Sequence, residues 1–518
     1  MRVLLLSMPD SFEHTPALTM RMPNGALASL AGNAGAGHQI AIADLILVQD
    51  RVVPTVERLM REQDPDVVGL SVMTFQRRTA LRLIATIRAI KPSVTIVAGG
   101  YDPSLAPAAY EPPSSGVDMI VHGEGEHTFR ALLRAMSRSE PIERIPGLSY
   151  RAPGLPDAGF IQTPARPVSR LAGDDLALPN RAARVLSGYT FLGRPIDIVE
   201  TSRGCTYDCS FCSIIEMRGR NFHTFDFTRV LADIADARSR GATAIFLVDD
   251  NITLNVARFE ALCRAIVDAG LNDIHYIVQA MTSSIASHGD TLAPLMRKAG
   301  FRYVFLGIEN VLDEDLAFLR ASAKNAEREG GRRVGNATLR AIAALHREGL
   351  LVVGGIIVGN PDDTRASIET NLAFAKRYVD WPYIQHPTPY PGTPMTEDFR
   401  RRGLIVNERV EEYDGTTAVV RTVHLDAEEI EFLRWRSERW MKVRHVPAVL
   451  RRYPRFVLAN APWMLAHTFR GTTWRSMVGL ESTRDVFRRY KARRATEREY
   501  VPEPAVNPAH AEYASLRE

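Results

Sequence analysis

The chain has 518 residues, of which 45% are hydrophobic and 24% are charged, and four of them are cysteines. This composition excludes a disordered chain and a disulfide-held secreted domain, and it is typical of a soluble protein of roughly three domains. The chain begins directly with a strand-like run instead of a signal sequence, and no run of about 18 apolar residues predicts a membrane-spanning helix. We therefore expect a cytoplasmic protein with reduced cysteines.

Residues 1–137 alternate short apolar strands with segments of helical periodicity. The predicted strands are Val3–Leu6, Gln39–Ala43, Val67–Val72, Thr95–Ala98 and Met119–Val121, and the predicted helices are Gly25–Gly35, Thr55–Gln63, Arg77–Ile90 and Glu126–Met136. This alternation predicts an α/β domain with a doubly wound parallel sheet that is covered on both faces. Ligands bind such sheets beyond the carboxyl ends of the strands.

The loops after the last three of these strands carry the candidate binding residues of this domain. Two of the loops are rich in glycine, which lets the backbone approach a ligand closely. The candidates are Gln76, Gly99, Gly100, Ser104, Gly123, Glu124, Gly125 and Thr128.

Residues 138–195 are rich in Pro and Gly and predict a linker. Residues 196–403 again alternate strands with helices. The predicted strands are Ile196–Thr201, Ala244–Val248, Tyr276–Gln279, Tyr303–Gly307, Leu351–Val358 and Tyr383–Gln385. Six such units predict a partial (β/α)6 barrel, which is open on one side, and the first domain can cover that side.

Three of the four cysteines lie within eight positions, at Cys205, Cys209 and Cys212, directly after the first barrel strand. Barrels of this kind place their chemistry at the carboxyl ends of the strands. Thiolates are the ligands of iron–sulfur clusters, and three ligands on a four-iron cluster leave one iron open for a small molecule. The alternatives are a structural zinc site, which needs a fourth ligand, and three unrelated core cysteines. Cys263 lies in a helical pattern and is expected to be a buried small hydrophobe.

Several of the other barrel strands end in polar residues or glycine. The candidates for ligand binding at these strand ends are Asp249, Asp250, Asn251, Gln279, Glu309 and Gly359. Carboxylates and amides suit an ammonium group and ribose hydroxyls. Taken singly, the same residues are typical of a helix cap or a bend. Prolines restrict the loop after the sixth strand, and its Tyr390 either contacts the substrate or a cofactor or packs within the loop.

The cysteine spacing at the end of a barrel strand resembles the radical S-adenosylmethionine (SAM) superfamily. This resemblance implies that the three cysteines bind a [4Fe-4S] cluster whose open iron binds SAM. It implies that the backbone of Phe211 meets the adenine, and that the polar strand ends hold the methionyl amine and the ribose. A reductant such as a flavodoxin or ferredoxin would supply the electron that cleaves SAM. The residues around Tyr390 resemble an element of the cobalamin-linked branch of the superfamily.

The two glycine-rich loops of the first domain resemble the cobalamin-binding domain that precedes the radical SAM domain in that branch. This resemblance implies that cobalamin delivers a methyl group to an unactivated carbon after hydrogen abstraction. His14 lacks the glycine that follows a cobalt-binding histidine, and His38 precedes a strand, so we expect no protein histidine on cobalt. The alternatives are a first domain kept for packing, a radical cyclisation of the porphyrin-ester kind, and a redox or light sensor.

Residues 404–500 predict a mostly helical region, and residues 501–518 a disordered tail. From Arg434 to Arg494 the chain has 16 Lys and Arg against three Asp and Glu, so this stretch carries +13 and the rest of the chain −9. Basic residues mixed with Trp and Phe suit peripheral contact with an anionic membrane and a lipid substrate. The alternative is a helical cap packed on the barrel. No RNA-binding module is visible, so a small molecule, and not a nucleic acid, is the expected partner.

Overall fold

The structure is a computed structural model that describes residues 1–503 apart from 13–18, 153–158, 172–175, 330–331, 471–474, 477 and 498. The expectations for His14, for residues 504–518 and for the side chains of Trp440, Trp463, Phe469 and Trp474 therefore lie outside the described residues.

Strands and helices alternate through most of the described chain. The strands are β1 (Arg2–Ser7), β2 (Met20–Arg21), β3 (Gln39–Asp44), β4 (Val67–Ser71), β5 (Thr95–Gly99), β6 (Met119–Val121), β7 (Leu148–Tyr150), β8 (Ile161–Gln162), β9 (Thr190–Phe191), β10 (Arg194–Val199), β11 (Ser202–Arg203), β12 (His223–Thr224), β13 (Ala244–Leu247), β14 (His275–Met281), β15 (Phe301–Glu309), β16 (Ala326–Glu329), β17 (Arg332–Asn336), β18 (Leu351–Ile357) and β19 (Trp381–Gln385). The helices are α1 (Gly25–Asn33), α2 (Val52–Gln63), α3 (Arg77–Ile90), α4 (Tyr101–Leu105), α5 (Glu126–Arg138), α6 (Ser213–Arg218), α7 (Phe227–Ser239), α8 (Val256–Asp268), α9 (Thr282–Lys298), α10 (Asp313–Phe318), α11 (Ser322–Asn325), α12 (Thr338–Arg347), α13 (Arg365–Tyr378), α14 (Pro394–Arg401), α15 (Ala427–Arg452), α16 (Pro454–Arg470) and α17 (Thr483–Glu497).

The first sheet has the strand order β3-β1-β4-β5-β6-β7-β8. Its first five strands in this order are parallel, and β7 and β8 are antiparallel additions. One apolar core contains α2 and α3, and the other contains α1 and α5, so both faces of the sheet are covered. The predicted doubly wound parallel sheet is confirmed. The strand order reverses at β1 and β4, which is where such sheets bind ligands.

The second sheet has the order β19-β18-β15-β14-β13-β10-β9-β2. Its six parallel strands, from β10 to β19, confirm the predicted partial barrel. The short strand β2 comes from the first domain and pairs with β9, so backbone hydrogen bonds join that domain to the edge of the barrel sheet.

Residues 138–195 are more than a linker. Strands β7 and β8 extend the first sheet, and β9 extends the second. The buried Arg181 lies between β8 and β9 in the sequence. Its Nε is 3.0 Å from Asp197 Oδ2, and its Nη1 is 2.5 Å from Asp233 Oδ1. This segment therefore anchors itself to the barrel through buried ion pairs, which sequence composition alone does not reveal.

The C-terminal region packs on the barrel. Arg434 on α15 donates to the Ile384 carbonyl oxygen at 2.7 Å, and Arg494 on α17 donates to Asp414 at 2.7 Å. Both guanidiniums are buried, so part of the basic charge of this region serves internal packing. None of the helices that the structure describes is both long and apolar enough to cross a membrane.

Replacing Arg181 with Met should lower the free energy of unfolding by about 3–5 kcal/mol, because Asp197 and Asp233 would stay buried without this partner. Arg238→Met is the matched control, since Arg238 pairs with Asp273 on the surface, where the expected loss is below about 1 kcal/mol. Chemical denaturation of both variants measures the difference. Equal losses would contradict the anchoring role.

Candidate active site

One cavity of about 1100 Å³ lies between the first domain and the carboxyl ends of the barrel strands. The first domain contributes Asp10 after β1, Ser71 and Gln76 at and after β4, and Tyr101 at the start of α4. The strand ends of β1 and β4 thus face the barrel at the point where the strand order of the first sheet reverses. The cavity is therefore a site shared by two domains.

Cys205, Cys209 and Cys212 all line this cavity, whereas Cys263 is buried in α8 as expected. Burial raises the pKa of Cys209 to about 11 and that of Cys212 to about 12, so iron binding would have to displace their protons. Within the described residues, no three His, Cys, Asp or Glu side chains are gathered closely enough to hold a single metal ion. Three sulfurs around a roomy cavity suit a cluster of several irons.

The backbone before the cysteines is held by two carboxylates. Asp249 is fully buried and accepts hydrogen bonds from the Thr201 amide at 2.7 Å and the Thr201 hydroxyl at 2.5 Å. Asp250 accepts from the Gly204 amide at 2.7 Å. Gly204 has φ +91°, and a Cβ there would lie 2.4 Å from the Asn221 carbonyl oxygen. Only glycine fits at this entry to the cysteine loop.

The middle of the cysteine loop is held by the barrel's outer helices. The Ser210 amide donates to the Leu319 carbonyl oxygen at 3.0 Å, and the Ser210 carbonyl oxygen accepts from the Met395 amide at 2.9 Å. Leu319 and Met395 both belong to a packed apolar cluster, so the positions of the cysteines on either side of Ser210 depend on the folded barrel.

An ion pair faces the cysteines from the end of β15. Lys324 on α11 has its Nζ 2.6 Å from Glu309 Oε1 and 6.0 Å from the centre of the Phe211 ring. Burial lowers the pKa of Lys324. The negative charges of Glu309 and of the Cys209 and Cys212 thiolates outweigh burial and raise that pKa. Glu309 itself has φ +57° at an irregularity in the pairing of β15 with β18, a strained conformation for a residue with a side chain. Sequence reasoning missed Lys324, because a lone lysine in a short helix carries no motif.

The structure brings many of the predicted residues into this one cavity. They are the three cysteines, Phe211, Asp250, Asn251, Gln279, Glu309, Tyr390 and Gln76. The Asn251 amide nitrogen lies 3.9 Å from Cys205 Sγ, and the Tyr390 hydroxyl donates to the Tyr413 carbonyl oxygen at 3.1 Å. Two of the residues predicted at the ends of the barrel strands are not among the described residues that line it. Asp249 supports the strand end, and Gly359 donates to Asp363 in a turn.

The predicted binding residues of the two glycine-rich loops are not part of the described lining of the cavity, although the first loop reaches it through Tyr101. Ser104 accepts from the Gly123 amide at 3.1 Å and so joins the two loops, while Gly100, at φ +99°, packs tightly on Val72. Thr128 donates to the Pro146 carbonyl oxygen at 2.9 Å. The roles of Gly99, Gly100, Ser104, Gly123, Gly125 and Thr128 in ligand binding remain predictions.

Glu124 faces the barrel. It accepts from the Ser169 amide at 2.8 Å and pairs with Arg218, which follows the cysteine loop. Its neighbour Glu126 pairs with Arg203 at 2.7 Å, directly before that loop. These two glutamates therefore join the domains, a role that differs from the predicted ligand contact of Glu124.

The far end of the cavity is apolar. Its wall is formed by inward-facing barrel side chains, which include Phe246, Ile277, Tyr303, Phe305, Val353 and Trp381. Helices α15 and α16 close this end with Val449 and Phe456. Gly307 and Gly355 pair across β15 and β18, and a Cβ on Gly355 would lie 2.9 Å from the Phe305 ring. We call this part of the cavity the apolar compartment.

Comparison with known families gives two matches in the order of the two sheets. Residues 19–133 match the B12 binding domain, and residues 199–375 match the radical SAM superfamily.

Three curated relatives span most of the chain. An uncharacterized methyltransferase of Pyrococcus horikoshii is 27% identical over 84% of this chain and 90% of its own length. The hopanoid C-3 methylase of Methylococcus capsulatus is 27% identical over 69% of this chain and 65% of its own length. The anaerobic magnesium-protoporphyrin IX monomethyl ester cyclase of Rubrivivax gelatinosus is 24% identical over 83% and 75%.

Among solved structures, the radical SAM methyltransferase TsrM of Kitasatospora setae, with cobalamin and a [4Fe-4S] cluster bound, superposes with a TM-score of 0.62. It is 21% identical, and the match covers 78% of this chain and 79% of TsrM. This likeness shows a shared fold.

Replacing Cys209 with Ser should abolish loading of the cluster, because a buried hydroxyl is a poor iron ligand where a thiolate is needed. Cys263→Ala is the matched control, and it should keep its iron because Cys263 is packed inside α8. Iron analysis after anaerobic reconstitution gives the comparison. Wild-type iron content in the Cys209 variant would refute the assignment.

A buried carboxyl pair lies under the loop after β18. Asp363 accepts from the amides of Gly359 and Asn360 at 2.8 Å each. Burial, and then the charge of Asp363, raise the pKa of Asp315 from 3.8 to about 7. The folded protein therefore keeps a proton here that the unfolded chain releases above about pH 4.

The contribution of this carboxyl pair to the free energy of unfolding should accordingly fall as the pH rises from about 4 to about 7. Asp315→Asn should remove this contribution, so the difference in the free energy of unfolding between the variant and the wild type should shift in favour of the variant across this range. The control Asp362→Asn alters an exposed neighbour and should keep the wild-type pH profile. Urea denaturation across this pH range measures all three proteins, and a difference between the Asp315 variant and the wild type that stays constant with pH would refute the role of the pair.

Proposed function

We propose that this chain, which belongs to the radical SAM enzymes that carry a B12-binding domain, methylates an unactivated carbon of a small molecule with an apolar body. The observation that carries the proposal is the single cavity, because it combines three cysteines, the ligand-binding strand ends of the first sheet and the apolar compartment. The methyltransferases among its relatives support this activity.

When bound, the [4Fe-4S] cluster and SAM supply hydrogen abstraction from carbon, and cobalamin supplies the methyl group. Cys205, Cys209 and Cys212 would hold the cluster. Lys324 and Glu309, one cationic and one anionic, suit the carboxylate and the ammonium of a bound amino acid moiety.

The first domain would hold cobalamin over the same space. Gln76 is buried, accepts from the Met73 amide at 3.0 Å and donates to the Asp10 carbonyl oxygen at 3.0 Å. These two hydrogen bonds fix the loop after β4, which faces the barrel. Gln76 and Tyr101 line the cavity on this side and would contact the bound cobalamin.

The apolar compartment would position the substrate and exclude water. Side chains such as Phe305, Trp381 and Phe456 offer an apolar body broad contact surfaces and few hydrogen-bonding groups. The hopanoid C-3 methylase among the relatives, whose name denotes an apolar substrate, supports a lipid or isoprenoid.

Two further partners stay proposals. A flavodoxin or ferredoxin would supply electrons to the cluster. Peripheral contact with an anionic membrane is supported by the exposed side chains of Leu450 and Leu458, which are 45% and 69% exposed beside the arginines of α15 and α16. Vesicle binding tests this contact.

Product analysis tests methyl transfer. The anaerobically reconstituted protein, loaded with cobalamin and supplied with a reductant and an isoprenoid or polycyclic lipid substrate, should convert SAM to both 5′-deoxyadenosine and S-adenosylhomocysteine and form a methylated lipid. The measurement is mass spectrometry with SAM labelled in its methyl group, and Cys209→Ser is the inactive control.

A different product pattern would change the conclusion. Deoxyadenosine with an altered, unmethylated product would favour the cyclase reaction, for which the related ester cyclase gives a precedent. A protein that carries cluster and cobalamin and turns over no SAM would refute catalysis and favour a sensor.

A further inference from the structure

Four arginines from four separate elements gather at the base of the barrel, at the amino ends of its strands and away from the cysteines. We call them the basal arginines. They are Arg194 in β10, Arg297 in α9, Arg302 in β15 and Arg452 in α15.

Tyr453 and His275 lie in the middle of this group. The guanidinium carbon of Arg194 is 5.8 Å from the centre of the Tyr453 ring, and His275 Nδ1 is 3.4 Å from the Tyr453 hydroxyl. Arg452 Nη1 donates to the Arg302 carbonyl oxygen at 3.4 Å. The Arg194 guanidinium thus lies over the buried ring of Tyr453, and the Arg452 guanidinium reaches the backbone of Arg302.

No described carboxylate forms an ion pair with the basal arginines. Burial and then the charges of Arg297, Arg452 and Arg194 lower the pKa of Arg302 to about 10. Burial and then the charges of all four lower the pKa of His275 to about 4. Arg181 shows the contrast within this chain, since its buried guanidinium meets two carboxylates. Arg297 is exposed and the other three basal arginines are half-buried, and they repel one another without a described carboxylate partner of the kind that Arg181 has.

Hydrogen bonds to the backbone hold part of the group in place. Arg302 Nη1 donates to the carbonyl oxygens of Phe301 at 2.7 Å and Arg297 at 3.3 Å, and Arg452 Nη2 donates to that of Gly349. Carbonyl oxygens orient a guanidinium and leave its charge uncompensated. Backbone hydrogen bonds of this kind explain the orientation of Arg302 and Arg452. They do not explain the position of Arg194.

We propose that the basal arginines form a binding site for a phosphate or pyrophosphate group. Guanidinium groups bind phosphate oxygens through paired, charge-assisted hydrogen bonds, and an anion would remove the mutual repulsion of the four cations.

The position of the site suggests two sources for such a group. Tyr453 packs on Phe191 and Tyr303, with ring centres 6.4 and 6.3 Å apart, and both of these residues line the cavity. The site therefore lies behind the end wall of the apolar compartment, and its Arg452 lies on the same helix as the exposed Leu450. The phosphate can belong to a soluble molecule or to a lipid head group. The proposal does not depend on methyl transfer.

Calorimetric titration of the full-length protein with pyrophosphate tests the soluble source. Arg302→Gln and Arg194→Gln should each weaken binding roughly tenfold, because each removes a charge-assisted contact. Arg302→Lys, which keeps the charge and loses the planar fork, should bind with intermediate affinity. Arg61→Gln, which removes an exposed cation from α2, is the matched control and should bind like the wild type.

Sedimentation with vesicles tests the lipid source. The wild type should bind vesicles of phosphatidylcholine with phosphatidic acid more tightly than vesicles of phosphatidylcholine alone, and the two Gln variants should lose this difference. Iron content after reconstitution shows whether each variant is folded, and Arg194→Gln remains informative if Arg302→Gln fails to fold.

Each outcome decides the proposal. Pyrophosphate binding that depends on Arg302 or Arg194 supports it with a soluble ligand, and binding to phosphatidic acid vesicles alone supports it with a lipid. Absence of both, or binding that Arg61→Gln weakens as much as Arg302→Gln, overturns it. Because neither readout uses SAM turnover, a failure here is distinguishable from a failure of methyl transfer.

Discussion

The ion pairs between the two domains are the contacts on which the rest of the site depends. Arg203 and Arg218 flank the cysteine loop, and they meet Glu126 and Glu124 of the first domain. Burial raises the pKa of Glu126, but Arg203 outweighs it and holds that pKa at about 2, so the pair is charged at neutral pH. A buried charge that loses its partner is strongly destabilising, so these pairs allow little displacement of one domain against the other. The cavity keeps its shape for the same reason.

The two ends of the cavity differ in chemistry, and this difference separates the cofactor-binding end from the substrate-binding end in the proposed reaction. The cysteines, Lys324 and Glu309 lie at the end where charged groups can be bound, and aromatic side chains fill the end where water would be excluded. An apolar substrate would be held by contact area, so its reacting carbon would be selected by its position in the compartment more than by hydrogen bonds.

The basal arginines extend this arrangement beyond the cavity. Amino ends of barrel strands commonly serve stability, and the arginines there would be expected to meet carboxylates or solvent. Here Arg194 lies over the ring of Tyr453, which packs against the wall of the apolar compartment. An anion bound at this site would therefore lie next to the residues that shape the substrate space.

Sequence patterns predicted the fold and the centre of the site. Hydrophobic periodicity placed the parallel strands of both sheets, and the spacing of Cys205, Cys209 and Cys212 identified the loop that the cavity surrounds, because both signals are local in sequence. Asp250, Asn251 and Glu309 were predicted from their places at strand ends. Parallel strands bring those ends together at one edge of a sheet.

Only the tertiary structure decided how distant segments meet. Strands β7 and β8 joined the first sheet from a segment predicted as a linker, Asp249 turned inward to support the backbone, and Glu124 faced an arginine of the other domain. Lys324 and the basal arginines are single residues on separate elements, without any shared motif. The sequence by itself determined which local structures form and which cysteines lie together. The pairing of charges across elements was decided by packing, because burial makes each charge depend on neighbours that are far away along the chain.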